Sequence, residues 1–157
     1  MEEKNQLALD TFAAVCLALD ENDWKYRKDE ENLIIECGAQ GDDLPMELTV
    51  KVDPKRKFVL LFSRLPFVIQ EDKRLDLAIA VSAVNNVIAD GCFDYDVTTG
   101  RMYFRMTNSF MESRIDQEVF AYMLYCSCQT IDEYNDKFLM LAKGMLDMEK
   151  FLAAVMN

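Results

Sequence analysis

The sequence contains no histidine and only five glycines, and these shortages limit the chemistry that it can support. Without an imidazole, the chain cannot form the Ser-His-Asp or Cys-His arrangements that activate a nucleophile near neutral pH. The same absence removes most zinc and non-haem iron sites. The glycines never fall into a phosphate-binding loop pattern. The sequence therefore predicts no enzyme, no cofactor and no metal site.

Basic residues are scarce, since 17 Lys and Arg face 28 Asp and Glu and give a formal net charge of −11. The one basic cluster, residues 55–57, follows Asp53 and Pro54, which are typical of a turn. We therefore predict no nucleic-acid partner, because nucleic-acid binding normally requires a basic surface. Asp94 and Asp96 share one strand face and could hold a divalent cation, but an ion pair with Arg105 is the favoured interpretation.

Long apolar runs are also absent. The longest uncharged runs, residues 77–89 and 119–131, are shorter than the ~20 residues of a membrane helix, so we predict no membrane partner. The acidic start of the chain does not resemble a signal peptide. Five scattered cysteines fit reduced thiols better than a disulfide framework. These features predict a cytoplasmic protein, and 157 residues predict one domain.

Hydrophobic periodicity predicts an α+β fold, an antiparallel sheet with packed helices in the order α-β-β-β-β-α-β-β-α. The predicted elements are a helix over 5–19, strands near 24–27, 33–37, 46–53 and 58–62, a helix over 71–89, and strands near 93–97 and 102–106. Residues 38–45 are a predicted loop, and Pro66 is expected to end the fourth strand. A two-residue turn at Thr99 and Gly100 would set Asp94 opposite Arg105 and Tyr95 opposite Phe104.

The C-terminal third has the spacing of a long helix. Apolar residues recur at intervals of four and three across residues 116–155, the pattern of a helix–helix seam, with Ser113 or Asp116 as N-cap. An unbroken helix of this length would be longer than the domain is wide. We expect a break at Gly144 with residues 145–157 as a helical tail. The alternative is a tail that reaches a second subunit.

One succession of residues resembles a known family. It comprises residues 83–88 (AVNNVI), 91–96 (GCFDYD), the Thr99-Gly100 turn and residues 101–105 (RMYFR). It resembles the YbjN family, whose members are described as bacterial sensory-transduction regulators. That family is similar in fold to type III secretion chaperones. The resemblance covers residues 5–144 and implies a single YbjN-like domain within residues 1–157, but it assigns no role to any residue.

These observations predict a non-enzymatic protein-binding module, chaperone-like or regulatory, that forms a homodimer. The alternative is a small-molecule sensor that uses Tyr95, Tyr103 and Phe104 near the hairpin. Met side chains suit adaptable binding surfaces but also fill helical cores. Phe67 could be exposed at the edge of the sheet or packed at the corner between the fourth strand and the second helix. The candidate partner-binding residues are Phe67, Asp94, Tyr103, Arg105, Met140, Met145 and Met148.

Overall fold

The structure, a computed structural model, describes residues 2–111, 113 and 115–156, with side chains described from Gln6 onward. Within these ranges the elements follow the predicted order, and the final short helix lies within the predicted helical tail. They are α1 (Glu2–Glu21), β1 (Tyr26–Asp29), β2 (Ile34–Gln40), β3 (Pro45–Asp53), β4 (Phe58–Val68), a 3-10 turn (Glu71–Lys73), α2 (Arg74–Val87), β5 (Cys92–Asp96), β6 (Arg101–Ser109), α3 (Gln117–Ala142) and α4 (Met148–Met156).

The strands form one antiparallel sheet in the order β1-β2-β3-β4-β6-β5, which confirms the predicted α+β class. Burial alternates along the strands, as in β3, where Leu48 and Val50 are buried while Glu47 and Lys51 are exposed. The buried positions face the helices, and the opposite face of the sheet carries charged and half-buried side chains. β1 and β5 are the two edge strands.

Aromatic rings connect the sheet to the C-terminal helices. Phe93 on β5 lies 5.1 Å from Phe104 on β6 and 5.1 Å from Phe138 on α3, between ring centroids. Phe138 in turn lies 5.7 Å from Phe151 on α4. All four side chains are buried, so α4 is anchored on its own chain, where it packs against α2 and α3.

The fourth strand differs from the prediction, because β4 continues through Pro66 to Val68. Its pairing with β6 is interrupted between Arg64 and Val68, so the missing amide hydrogen of Pro66 falls where the ladder is irregular. The predicted loop over 38–45 is also shorter, since β2 runs to Gln40 and β3 begins at Pro45.

All four hairpins of the sheet have four-residue connections, and three of these share the same geometry. In each of these three, an Asp pairs with the residue that begins the next strand, as in Asp29↔Ile34, Asp53↔Phe58 and Asp96↔Arg101. The Asp carboxylate accepts hydrogen bonds of 2.9–3.0 Å from backbone amides of the loop, and the last loop residue has a positive φ. That residue is Leu33 (φ 54°), Lys57 (φ 56°) or Gly100 (φ 72°).

The predicted turn at Thr99 and Gly100 is therefore wrong, because the connection begins at Val97. Asp94 pairs with Tyr103 and Tyr95 with Met102, two residues away from the predicted register. A shift of two residues leaves every side chain on the same face as in the predicted register, and Phe104 is fully buried. Arg105 reaches Asp94 diagonally and forms the predicted ion pair.

The long helix ends as predicted. Asp116 caps α3 by accepting a 2.9 Å hydrogen bond from the Val119 amide, and α3 stops at Ala142, just before Gly144, whose φ is 69°. The seam prediction is wrong beyond this break, because the chain turns and changes the buried face. Met145 is 70% exposed there, whereas Phe151 is fully buried.

Candidate functional site

A groove of about 500 Å³ lies between α1 and the edge strand β1. The buried stripe of α1, which includes Phe12 and Val15, faces the core, and a second set of apolar side chains lies on its flank. Leu9 and Leu17 are each 46% exposed, and Ala13 lies between them at helical spacing. The other groove residues are Phe12, Cys16, Asp20, Lys28, Glu30 and Leu33. An apolar floor with a charged rim of this kind suits a segment of another protein.

A second groove, of about 620 Å³, lies between α2 and the edge strand β5 at the opposite end of the sheet. Its walls combine aliphatic and amide side chains: Ala78, Val81, Ser82, Asn85, Asn86, Tyr95 and Val97. Asn85 of α2 accepts a 2.8 Å hydrogen bond from the Phe93 amide and donates one of 2.9 Å to the Phe93 carbonyl. The Tyr95 hydroxyl is buried here and has no hydrogen-bond partner among the described residues.

Asp94, Arg105 and Cys92 form a polar cluster on the uncovered face of β5 and β6. Arg105 Nε donates to Asp94 Oδ2 at 2.6 Å, and its Nη2 donates to Cys92 Sγ at 3.1 Å. The hydrogen bond from Arg105 lowers the pKa of the Asp94 carboxyl, and burial raises the pKa of the Cys92 thiol. The two charges neutralise each other, so this cluster is a partly solvated ion pair.

The predicted partner-binding residues fall into three separate places. Asp94, Tyr103 and Arg105 lie together on the uncovered face of the sheet, with Asp94 directly opposite Tyr103. Phe67 lies half-buried on β4, in a groove of about 280 Å³ beside Pro45 and Arg64.

The predicted methionines lie on the helical side of the molecule. Met140 and Met145 are exposed, whereas Met148 packs against the core. The role of all seven residues in partner binding stays a prediction.

The aromatic residues behind the sensor hypothesis do not line a common pocket. Phe104 is completely buried, while Tyr95 and Tyr103 lie on opposite faces of the sheet because they occupy positions of opposite parity in the hairpin. Tyr95 borders the groove between α2 and β5.

Sequence reasoning missed three residues that shape the grooves: Leu9, Leu17 and Asn85. A signal for the first two exists, because Leu9, Ala13 and Leu17 form an apolar series outside the buried stripe of α1. Asn85 carries no comparable signal, since its bonds to Phe93 depend on how α2 packs beside β5.

The five cysteines are free and half-buried. Burial raises the pKa of Cys37 to about 12 and that of Cys128 to about 11, so both are poor nucleophiles at neutral pH. Across the described part of the chain, His, Cys, Asp and Glu side chains are not grouped in a way that could hold a metal ion.

In the same ranges, a helix that is both long and apolar enough to cross a membrane is not found.

The overall fold is similar to that of solved structures. Superposition on YbjN from E. coli, described as a transcription regulator, gives a TM-score of 0.56 at 13% identity, over 80% of this chain and 91% of that one. The chain has a YbjN-like fold. This fold also occurs in the HopA1-SchA chaperone–effector complex (TM-score 0.55, 11% identity, 79% of this chain and 91% of that one) and in the ExsC-ExsE complex (0.54, 12%, 81% and 92%).

Comparison by sequence adds nothing to the YbjN-like fold, since no family model and no curated protein matches. At such low identity the likeness shows the fold, while function depends on the surfaces described above.

Proposed function

We propose that the protein is a non-enzymatic, chaperone-like module that binds a segment of a partner protein in the groove between α1 and β1. The observation that carries this proposal is the exposed apolar series of Leu9, Ala13 and Leu17 beside an edge strand. The same fold occurs in the HopA1-SchA complex, a chaperone bound to its effector, which supports a protein ligand.

The walls of the groove indicate what kind of segment fits. Apolar side chains at helical or alternating spacing would cover Leu9 and Leu17. Removing apolar surface from water is favourable by ~25 cal/mol per Å², before the costs of association. At the rim, Lys28 is already paired with Glu30 at 2.6 Å, and Asp20 accepts a 3.0 Å hydrogen bond from Tyr26. With a net charge of −11 on the whole chain, a basic flank on the partner would be attracted.

The test is affinity capture from a lysate of the source organism with the wild type, Leu17→Glu and the matched control Leu75→Glu. Both leucines are exposed, at 46% and 75%, so neither substitution should unfold the protein, which circular dichroism would check. We expect a near-stoichiometric partner that Leu17→Glu reduces at least tenfold and Leu75→Glu retains. If Leu17→Glu still captures the partner as the wild type does, the α1 groove is not the binding site.

Self-association and a cytoplasmic location belong to the same proposal. Light scattering on the wild type tests self-association, since a homodimer should have twice the 18.2 kDa mass of one chain, and the mass of a single chain would contradict it. Cell fractionation tests the location, which the five free thiols support.

A further inference from the structure

Asn85 takes the place of a neighbouring strand at the edge of the sheet. Its side-chain amide makes two hydrogen bonds to Phe93, one to the backbone N–H and one to the carbonyl, at 2.8 and 2.9 Å. These are the bonds that a residue of an adjacent antiparallel strand would make. The N–H of Phe93 is therefore directed away from β6 and towards α2.

This orientation fixes the direction of the next backbone groups along β5. In an antiparallel pair, residues that bond the neighbouring strand alternate with residues whose N–H and C=O point away from it. Because Phe93 opposite Phe104 is of the second kind, so is Tyr95 opposite Met102. The N–H and C=O of Tyr95 are thus directed into the α2–β5 groove of about 620 Å³. The Tyr95 side chain borders the same groove, and its buried hydroxyl has no hydrogen-bond partner among the described residues.

We propose that an extended segment of a protein partner adds to the sheet beside β5 and binds the backbone of Tyr95. This inference rests on the proposed function only in taking a protein as ligand, since it concerns the edge of the sheet opposite the α1 groove. The residue of the segment opposite Tyr95 would point into the groove between Ala78, Val81 and the Tyr95 ring. A small apolar side chain fits there.

Charge defines the flanking residues of the segment. Side chains on either side of the central residue would point to the uncovered face, next to Asp94 and Asp96. The Asp96 carboxylate accepts bonds from both Thr98 and Thr99, which lower its pKa to about 2 and keep it ionised. A basic residue opposite Asp96 would face this ionised carboxylate, whereas Asp94 is already paired with Arg105 at 2.6 Å. The recognised pattern is therefore an apolar residue with a basic residue immediately before it in an extended segment.

A second copy of this chain fits the same edge poorly. Antiparallel pairing of two β5 strands about Tyr95 would set Asp96 of each copy against Asp94 of the other, so that neither ionised Asp96 would gain a basic partner. The edge therefore favours a different chain of opposite charge.

Fluorescence anisotropy with labelled ten-residue peptides tests the inference. The probe alternates Lys and Val, one control replaces Lys by Glu, and a second has the same composition with all Lys before all Val. We expect saturable binding of the alternating Lys-Val peptide alone. Equal binding of the block peptide would mean that charge attraction suffices, and this would overturn the proposal, as would no binding of any peptide.

Variants locate the site. Ser82→Arg puts a cation into the groove at an exposed position and should weaken binding at least tenfold. Tyr95→Phe removes only the buried, unpartnered hydroxyl, which an added segment does not contact, so it should leave both the stability and the binding of the Lys-Val peptide nearly unchanged. Leu17→Glu should bind the Lys-Val peptide as the wild type does, so a failure here and a failure of the α1 groove can be told apart.

Amide hydrogen exchange by NMR gives the readout for strand addition. The Tyr95 amide should become at least tenfold more protected with the Lys-Val peptide. An unchanged Tyr95 amide despite binding would overturn the proposal. So would a wild-type dimer that Ser82→Arg makes monomeric, because the groove would then belong to a second copy.

Discussion

Replacing Lys57 with Gly should stabilise the protein, although it removes a side chain. Lys57 ends the four-residue connection between β3 and β4 with a φ of 56°, a conformation that costs a non-glycine residue roughly 1–2 kcal/mol. The surroundings impose it, because the Lys57 carbonyl accepts bonds from the Phe110 amide at 2.9 Å and from Ser109 Oγ at 3.2 Å. Glycine relieves this cost but gives the unfolded chain more freedom, worth ~0.5–1 kcal/mol.

The free energy of unfolding of Lys57→Gly should exceed that of the wild type by about 0.5–1 kcal/mol, a difference that a urea titration can resolve. With a denaturant slope of ~2 kcal/mol per M, the midpoint should rise by about 0.25–0.5 M. The matched control is Lys57→Ala, which also loses the 3.3 Å bond from Lys57 Nζ to the Met111 carbonyl but keeps the strained φ. A Lys57→Gly midpoint equal to or below that of Lys57→Ala would refute the reasoning.

The other two connections of the same geometry supply contrasting cases. Gly100→Ala should destabilise by ~2 kcal/mol or more, since φ is 72° there and a Cβ would lie 2.2 Å from the Ile69 carbonyl oxygen. Leu33→Gly should also destabilise, because Leu33 is only 7% exposed and loss of a buried Leu costs ~2–5 kcal/mol, more than the relief of strain.

Three further predictions concern acid, the tail and the thiols. Hydrogen bonds lower the pKa values of Asp29, Asp53 and Asp96, the last to about 2, so the stability they contribute is present above about pH 4 and is lost as the pH falls towards about 2. The melting temperature should drop across that window, and less steeply in Asp96→Asn; an equal drop would contradict this. Phe151→Ala should cost ~3–5 kcal/mol in urea, against a change within ~0.5 kcal/mol for Leu75→Ala, and a small cost for Phe151→Ala would mean that α4 is not anchored. At pH 8 iodoacetamide should modify Cys37 and Cys128 far more slowly in the native than in the urea-unfolded protein, as measured by mass spectrometry; equal rates would show that burial does not protect them.

Local patterns predicted most of the fold because they arise from local physics. The alternation of β3, the Asp116 cap and the break at Gly144 each depend on a few neighbouring residues, and the structure confirms them. The wrong hairpin register has a local cause too. Thr99 and Gly100 suggest a tight turn, but the Asp96 carboxylate binds the loop amides and extends the connection to four residues.

The grooves could not be predicted in the same way. Whether Leu17 is exposed depends on how α1 sits beside β1, and the role of Asn85 depends on α2 lying along β5. The effect of Pro66 also depends on tertiary structure. A proline that is expected to end the strand is accommodated within β4, because the pairing with β6 is interrupted at that point. These are tertiary relations that one sequence does not encode by spacing alone.

The sheet order also has a consequence for how the chain folds. Strands β1 to β4 are joined by short connections, so each pairing closes only a small loop. The pairing of β4 with β6 instead closes a loop that contains α2 and β5, which is entropically more demanding. We expect the transition state for folding to form at the β4–β6 pair, so that Leu61→Ala slows folding, while Phe151→Ala, which acts on α4 outside this pair, mainly speeds unfolding.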